Sequence, residues 1–179
     1  MNQLHFERLK SAESPAFDTS MECYRTSFPY HEQREEESQK SIMNHEEYHF
    51  DMLMDEDRFV GLMLNWETDG WIYIEHFCIV PEQRNRQYGS RVLQMLAERG
   101  KNLVLEIDPP CDEISVRRSG FYGRAGFQTN CYPHIHPPYH RDCKGHPLVV
   151  LSSPREMTQR EYERFHAFLR ETVMKDVYD

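Results

Sequence analysis

Apolar positions along the chain switch between two periods, and the switches divide it into elements. Residues 4–9 alternate as a first strand, and Phe17, Met21, Tyr24 and Phe28 then recur at helical spacing until Pro29 stops them. A polar helix follows over 32–43. The runs 48–54, 58–66 and 71–80 are rich in β-formers and are separated by Asp55-Glu56-Asp57 and Thr68-Asp69-Gly70, turn clusters of hairpin size. They predict an antiparallel meander. Over 89–99, Val92, Leu93 and Leu96 share one helical face ahead of Gly100, a glycine stop. Residues 103–107 then read as a strand that a strand–helix–strand unit returns parallel to the previous one. Pro109-Pro110 breaks the chain before a helix ending at Gly126, and 127–130 and 146–151 read as the last strands around a loop over 133–145. A C-terminal helix at about 158–177 carries Tyr162, Phe165, Leu169 and Val173 as an apolar stripe for core or dimer packing.

Composition narrows the functional classes. The length, 179 residues, fits one domain spanning 1–179 with a substantial core. A net charge of −9 argues against a nucleic-acid binder, which needs a basic face to neutralise phosphates, and suits a cationic substrate or partner better. The acid is concentrated in 32–47 and 51–57, runs that read as solvated faces. Five cysteines, Cys23, Cys78, Cys111, Cys131 and Cys143, are an odd count without tight pairing and point to a reducing compartment. The first residues lack a signal peptide's apolar core, and no run reaches membrane-spanning length. The expectation is a soluble cytoplasmic protein, monomer or homodimer, with no nucleic-acid or membrane partner.

The most informative stretch joins an apolar strand to a helix through a basic turn: Ile79-Val80-Pro81-Glu82-Gln83-Arg84-Asn85-Arg86-Gln87-Tyr88-Gly89-Ser90. Amides at a helix N-terminus lack intrahelical partners and carry the positive end of the dipole, so a diphosphate can sit there, with Arg84 and Arg86 adding charge. Downstream lies Phe121-Tyr122-x-x-x-Gly126-Phe127. Arg84-x-x-x-x-Gly89-Ser90 after a strand, followed across one further strand by that second motif, resembles the acetyl-CoA motif and its successor in the GNAT N-acetyltransferase superfamily. The family's turn carries a glycine where this chain has Gln87, so a side chain must tolerate the turn's backbone angles there.

The resemblance implies an α+β fold: a central twisted mixed sheet of about seven strands, an N-terminal antiparallel meander, parallel strands four and five splayed apart, and flanking helices. It implies acetyl-CoA as cosubstrate, with no metal, and a primary amine of a small molecule or peptide as acceptor. By resemblance the donor is held by Cys78, Ile79 and Val80 of the fourth strand, by Arg84, Asn85, Arg86, Gln87, Tyr88, Gly89 and Ser90 of the turn, and by Ser115. The Cys78 N–H is the expected contact for the thioester carbonyl. Tyr122 occupies the family's tyrosine position as general acid for the departing thiolate, against the alternative that it packs helix on sheet. Alternation puts His76 on the same sheet face as Cys78 and Val80, at an offset where some family members carry a base, and turns Glu75 to the opposite face. Glu106, on the neighbouring strand, competes with His76 for the amine's proton.

Two rival readings stay open. One is a non-catalytic acyl-CoA-binding module of the same fold. The other is a zinc-stabilised interaction protein built on Cys131, His134, His136, His140, Cys143 and His146, although these follow no familiar finger spacing. The same loop equally suits a substrate-pocket wall or a plain solvated loop. The acceptor itself carries no recognisable signature; the acidic Glu32, Glu35, Glu36 and Glu37 favour a cationic amine.

Overall fold

The alternating runs of the meander pair in the expected order. In a computed structural model describing residues 3–178, β1 (Leu4–Arg8), β2 (Tyr48–Asp55), β3 (Arg58–Glu67) and β4 (Trp71–Ile79) are successive antiparallel neighbours. Between β1 and β2 run α1 (Pro15–Ser27), entered through a Ser14 cap with Pro15 in its first turn, and the short α2 (Glu36–Ile42). Helix α3 (Tyr88–Ala97) connects β4 to β5 (Asn102–Ile107), which lies parallel to β4. Gly100 takes the left-handed turn beyond the end of α3, at φ 73°.

Helix α4 (Glu113–Arg124) opens on a capping box in which Asp112 and Ser115 exchange hydrogen bonds. It leads to β6 (Gln128–Thr129), to a hairpin of β7 (Ile135–His136) with β8 (His146–Pro147), and to β9 (Val149–Ser153). The expected last strand over 146–151 is therefore split. Its first residues pair with β7 inside the expected loop, and β9 inserts between β5 and β6 to give a seven-stranded order β1-β2-β3-β4-β5-β9-β6. The C-terminal helix α5 (Gln159–Phe168) starts on a Thr158–Glu161 capping box and widens into a π-turn over Leu169–Val173. It is thus shorter than the helix its apolar stripe suggests.

The sheet carries a core on each face. On one, α1, α2 and α5 pack Phe17, Met21, Tyr24, Ile42 and Phe165 onto Leu62, Leu64, Trp66, Tyr73 and Val104. On the other, α3 and α4 pack Val92, Leu93, Leu96 and Tyr122 onto Met63, Ile72, Ile74 and Leu105. Buried on both sides, β3 reads as a nearly continuous apolar run.

Two departures from ideal pairing build the site. The parallel ladder joins Trp71–Ile74 to Asn102–Leu105 and stops there, while β4 continues to Ile79 beside β3 and β5 continues to Ile107 beside β9. A gap opens between the two strands. The register with β3 also jumps, from Leu64↔His76 to Asn65↔Ile74, leaving Glu75 as the extra residue of a β-bulge.

Candidate active site

The bulge overturns the alternation argument for Glu75. With one extra residue in β4, Glu75 and His76 both point to the α1 face, whereas strict alternation would set them on opposite sides. The Glu75 side chain is fully buried there and paired with Arg34, whose Nε and Nη2 lie 3.0 and 2.9 Å from Oε1. Tyr139 donates its hydroxyl to the same oxygen at 2.8 Å, and Trp66 Nε1 donates to Oε2 at 2.7 Å. Burial alone would raise the Glu75 pKa, but the Arg34 guanidinium and these donors hold it below the usual carboxylate value.

His76 is 3% exposed and sits edge-on to the rings of Tyr24 and Phe28. Its Nε2 lies 2.7 Å from the Glu32 carbonyl oxygen, which can only accept, so Nε2 carries the proton and Nδ1 keeps a free lone pair. Nδ1 is buried and has no hydrogen-bond partner. Burial lowers the His76 pKa, so the neutral ring is the form held at neutral pH.

Glu106 occupies the same face at the end of β5 and is fully engaged. His134 Nε2 donates to Oε1, Tyr73 donates its hydroxyl to Oε2, and His136 approaches Oε2 at 3.9 Å. Burial works against its charge, yet His136 and His134 hold the carboxyl below its usual value. The other candidate loop ligands have separate partners. His140 bridges the Glu35 carboxylate and the Tyr30 carbonyl at 2.8 Å each, and His146 bonds Asp108 at 3.0 Å. Among the described residues no three His, Cys, Asp or Glu side chains converge on a metal position. The loop instead ties β7 and β8 to the α1–α2 connection and to β5.

At the far end of β4 the turn presents its amides as the basic spacing suggests. Asn85 and Gln87 both adopt positive φ, 62° and 64°. Gln87 therefore takes the left-handed conformation that glycine would adopt at lower cost, and it caps α3 without a side-chain bond. The first intrahelical bond runs from the Arg91 amide to the Gln87 carbonyl, so the amides of Tyr88, Gly89 and Ser90 have no intrahelical partner. Arg84 Nε reaches back to the Ile79 carbonyl at 3.1 Å. A Cβ on Gly89 would meet Phe121 at 3.1 Å, so glycine here lets α3 approach α4 closely.

The ladder corrects the expected role of the Cys78 amide. Val80 N–H donates to the Val60 carbonyl, and Cys78 stands opposite Leu62 two residues earlier, so alternation turns Cys78 toward β3. A Cβ at Gly61 would overlap the Cys78 carbonyl oxygen, which is the same orientation seen from β3. The backbone groups turned to the gap belong to Phe77 and Ile79.

Tyr122 lies on the opposite face, 9% exposed, edge-on to Phe121 and Phe127. Burial pushes its phenol up to about 12. The Ser115 hydroxyl is held inside the α4 capping box, within 3.1 Å of the Cys111 and Asp112 amides. Nothing local in the sequence singles out Arg34 or Tyr139 as part of the site. Arg34 is hidden as one basic residue in an acidic run, and a partner 41 residues away leaves no local signal.

A seven-stranded mixed sheet whose parallel β4–β5 pair parts beside a helix N-terminus is the architecture that the resemblance to the acetyltransferases implies. The model of the Acetyltransferase (GNAT) family matches residues 14–127, and the chain belongs to that family. It is similar to a protein described as a GNAT-family acetyltransferase of Bacteroides thetaiotaomicron: 28% identity, a TM-score of 0.87, and coverage of 94% of this chain and 97% of the other. A Bacillus subtilis acetyltransferase in complex with CoA shares the fold at 11% identity and TM-score 0.58, covering 85% and 97% of the two chains. So does Arabidopsis thaliana Naa50 in complex with the bisubstrate analogue CoA-Ac-MVNAL, at 12% identity and TM-score 0.59, covering 84% and 97%. Among curated proteins none matches the sequence. No helix among the described residues is long and apolar enough to cross a membrane.

Proposed function

We propose that the chain is an N-acetyltransferase that uses acetyl-CoA to acetylate a primary amine in the gap between β4 and β5. The observation that carries this reading is the end of pairing at Ile74 and Leu105, which turns the Phe77 backbone groups and the Ile79 amide to the gap beside the free amides of α3, the Ile79 carbonyl being taken by Arg84 Nε. The turn at Arg84, Asn85, Arg86, Gln87, Tyr88, Gly89 and Ser90 would hold the diphosphate, and β4 the pantetheine arm. An amide aimed at the gap, that of Phe77 or Ile79, would donate to the thioester carbonyl and stabilise charge developing on its oxygen. When bound, acetyl-CoA supplies the acyl group and a thiolate leaving group.

His76 deprotonates the amine. Its free Nδ1 lone pair and its lowered pKa support this role, while both oxygens of Glu106 already have donors. Tyr122, kept protonated by burial, donates to the departing sulfur. The Glu32 carboxyl favours a cationic acceptor: its backbone carbonyl holds His76, and its pKa is raised by burial and by Asp108, costs that an ammonium would offset. The test is release of CoA thiol from acetyl-CoA across polyamines, aminoglycosides, amino acids and peptides, together with thermal stabilisation by acetyl-CoA. Saturation at 100 times Kd adds about 2.7 kcal/mol to folding. A melting curve unmoved by acetyl-CoA, with no amine-dependent thiol release, would overturn the assignment.

A further inference from the structure

We propose that Cys23 and Cys78 form a peroxide-sensitive dithiol site, in which a disulfide ties helix α1 to strand β4 beside the acyl-transfer gap. The two cysteines are 55 residues apart in sequence, yet their Sγ atoms lie 3.9 Å apart, one on α1 and one on β4. Both are free and half-buried, so each is open to a small oxidant while facing the other. A disulfide holds its sulfurs at about 2.05 Å, so closure needs a further approach of about 2 Å.

The pair is chemically asymmetric. Either thiol can donate across this contact, yet Cys78 is lowered to about 7 by it and by the Leu62 amide and the Arg84 charge, whereas Cys23 is raised by it and by burial. Cys78 is thus the thiolate and Cys23 the resolving thiol. The Cys78 thiolate attacks one oxygen of hydrogen peroxide, the O–O bond breaks, and the departing hydroxide takes up the proton that Cys78 released, leaving as water; sulfenic acid remains on Cys78. The Cys23 sulfur then attacks the Cys78 sulfur, displacing hydroxide, which leaves as a second water with the Cys23 proton. Two thiols are oxidised by two electrons in all, and one peroxide is reduced to two waters.

Cys78 lies between Phe77 and Ile79, whose backbone groups face the gap, so drawing its side chain toward α1 shifts the strand on which those groups are aligned. A displacement of about 1 Å in such a constellation can cost roughly 10²-fold in rate. This consequence rests on the acetyltransferase reading; formation of the bond does not.

The experiment treats reduced protein with a small excess of hydrogen peroxide, blocks residual thiols with iodoacetamide, and digests with trypsin without reduction. Peptides 11–25 and 59–84 each contain one of the two cysteines. The expected result is their linked product, lighter by two hydrogens than the reduced pair, together with loss of turnover restored by dithiothreitol. Cys23→Ser should keep the basal turnover, give no linked peptide, and leave Cys78 as a sulfenic acid that dimedone traps. The proposal is overturned if 11–25 and 59–84 stay unlinked in the wild type after peroxide, whether or not Cys111, Cys131 or Cys143 oxidises, or if Cys78 of Cys23→Ser is not labelled by dimedone. If no amine is acetylated at all, the linked peptide still reports the site, so the two failures are distinguishable.

Discussion

Replacing Arg34 with methionine keeps most of the stem and removes the charge that Glu75 is built around. Both side chains are 0% exposed. The guanidinium also donates to Ser38 Oγ at 3.3 Å and to the Val173 carbonyl, and stands over the rings of Trp66 and Tyr139 at 6.0 and 5.4 Å. Arg34→Met leaves Glu75 with only the Trp66 and Tyr139 donors for a full negative charge in the interior. Losing one partner of such a pair costs about 3–5 kcal/mol. With a urea m-value of about 2–3 kcal/mol/M, the denaturation midpoint should fall by roughly 1–2.5 M. The double variant Arg34→Met, Glu75→Gln removes both charges and should regain most of that loss, because the uncharged amide oxygen can still accept from Trp66 or Tyr139.

The pH dependence has a definite sign. In the folded wild type the Glu75 carboxyl titrates below its unfolded value, so its contribution is fully present above about pH 4.3 and is lost as pH falls through the folded value. The gap between wild type and Arg34→Met should therefore narrow as pH falls, first above about 4.3, where burial without Arg34 makes Glu75 of the variant take up its proton, and then below it as the wild-type carboxyl titrates. Urea melts of both proteins at about pH 3 and about pH 7 bracket that window and provide the assay. An Arg34→Met protein within about 1 kcal/mol of wild type at neutral pH, or a double variant as unstable as the sum of its singles, would refute the reasoning.

Tyr122→Phe removes one hydroxyl from a packed site and should lower thiol release on a responsive amine by about 10²-fold or more while leaving the melting curve close to wild type; unchanged turnover would exclude the acid role. His76→Gln should lower turnover by about 10²-fold or more and remove an acidic limb that, because burial depresses the imidazole, lies below about pH 6.5. Loss of that limb in Glu106→Gln instead would pass the base role to the carboxylate. Gln87→Gly should raise stability by about 0.5–1 kcal/mol in urea melts, since it relieves a left-handed side-chain residue at some cost in chain entropy; a drop in stability would show that the Gln87 side chain holds the turn.

Much of the fold is legible in the sequence because its signals are local. Period-two runs broken by Asp55-Glu56-Asp57 and Thr68-Asp69-Gly70 mark β2, β3 and β4 to within a residue or two, and the basic turn before Gly89 marks the start of α3. Gln87 stands out as a side chain in a turn that asks for positive φ, and it adopts that φ. The His-rich loop is recognisable as unusual, yet its residues find separate partners: Glu106 for His134, Glu35 for His140 and Asp108 for His146. Composition supplies the ligating atoms but not which carboxylates will stand opposite them.

By itself the sequence determined the order and type of the main elements, the basic strand-to-helix turn and the aromatic motif after it, because propensity, capping and periodicity act over a few residues. Only the tertiary structure decided which face Glu75 occupies, which amides of β4 are turned to the gap, and that Cys23 meets Cys78. Each depends on register and on partners tens of residues away: one bulged residue shifts the phase of every side chain beyond it, and a period-two pattern cannot reveal the insertion when both faces of the strand are buried.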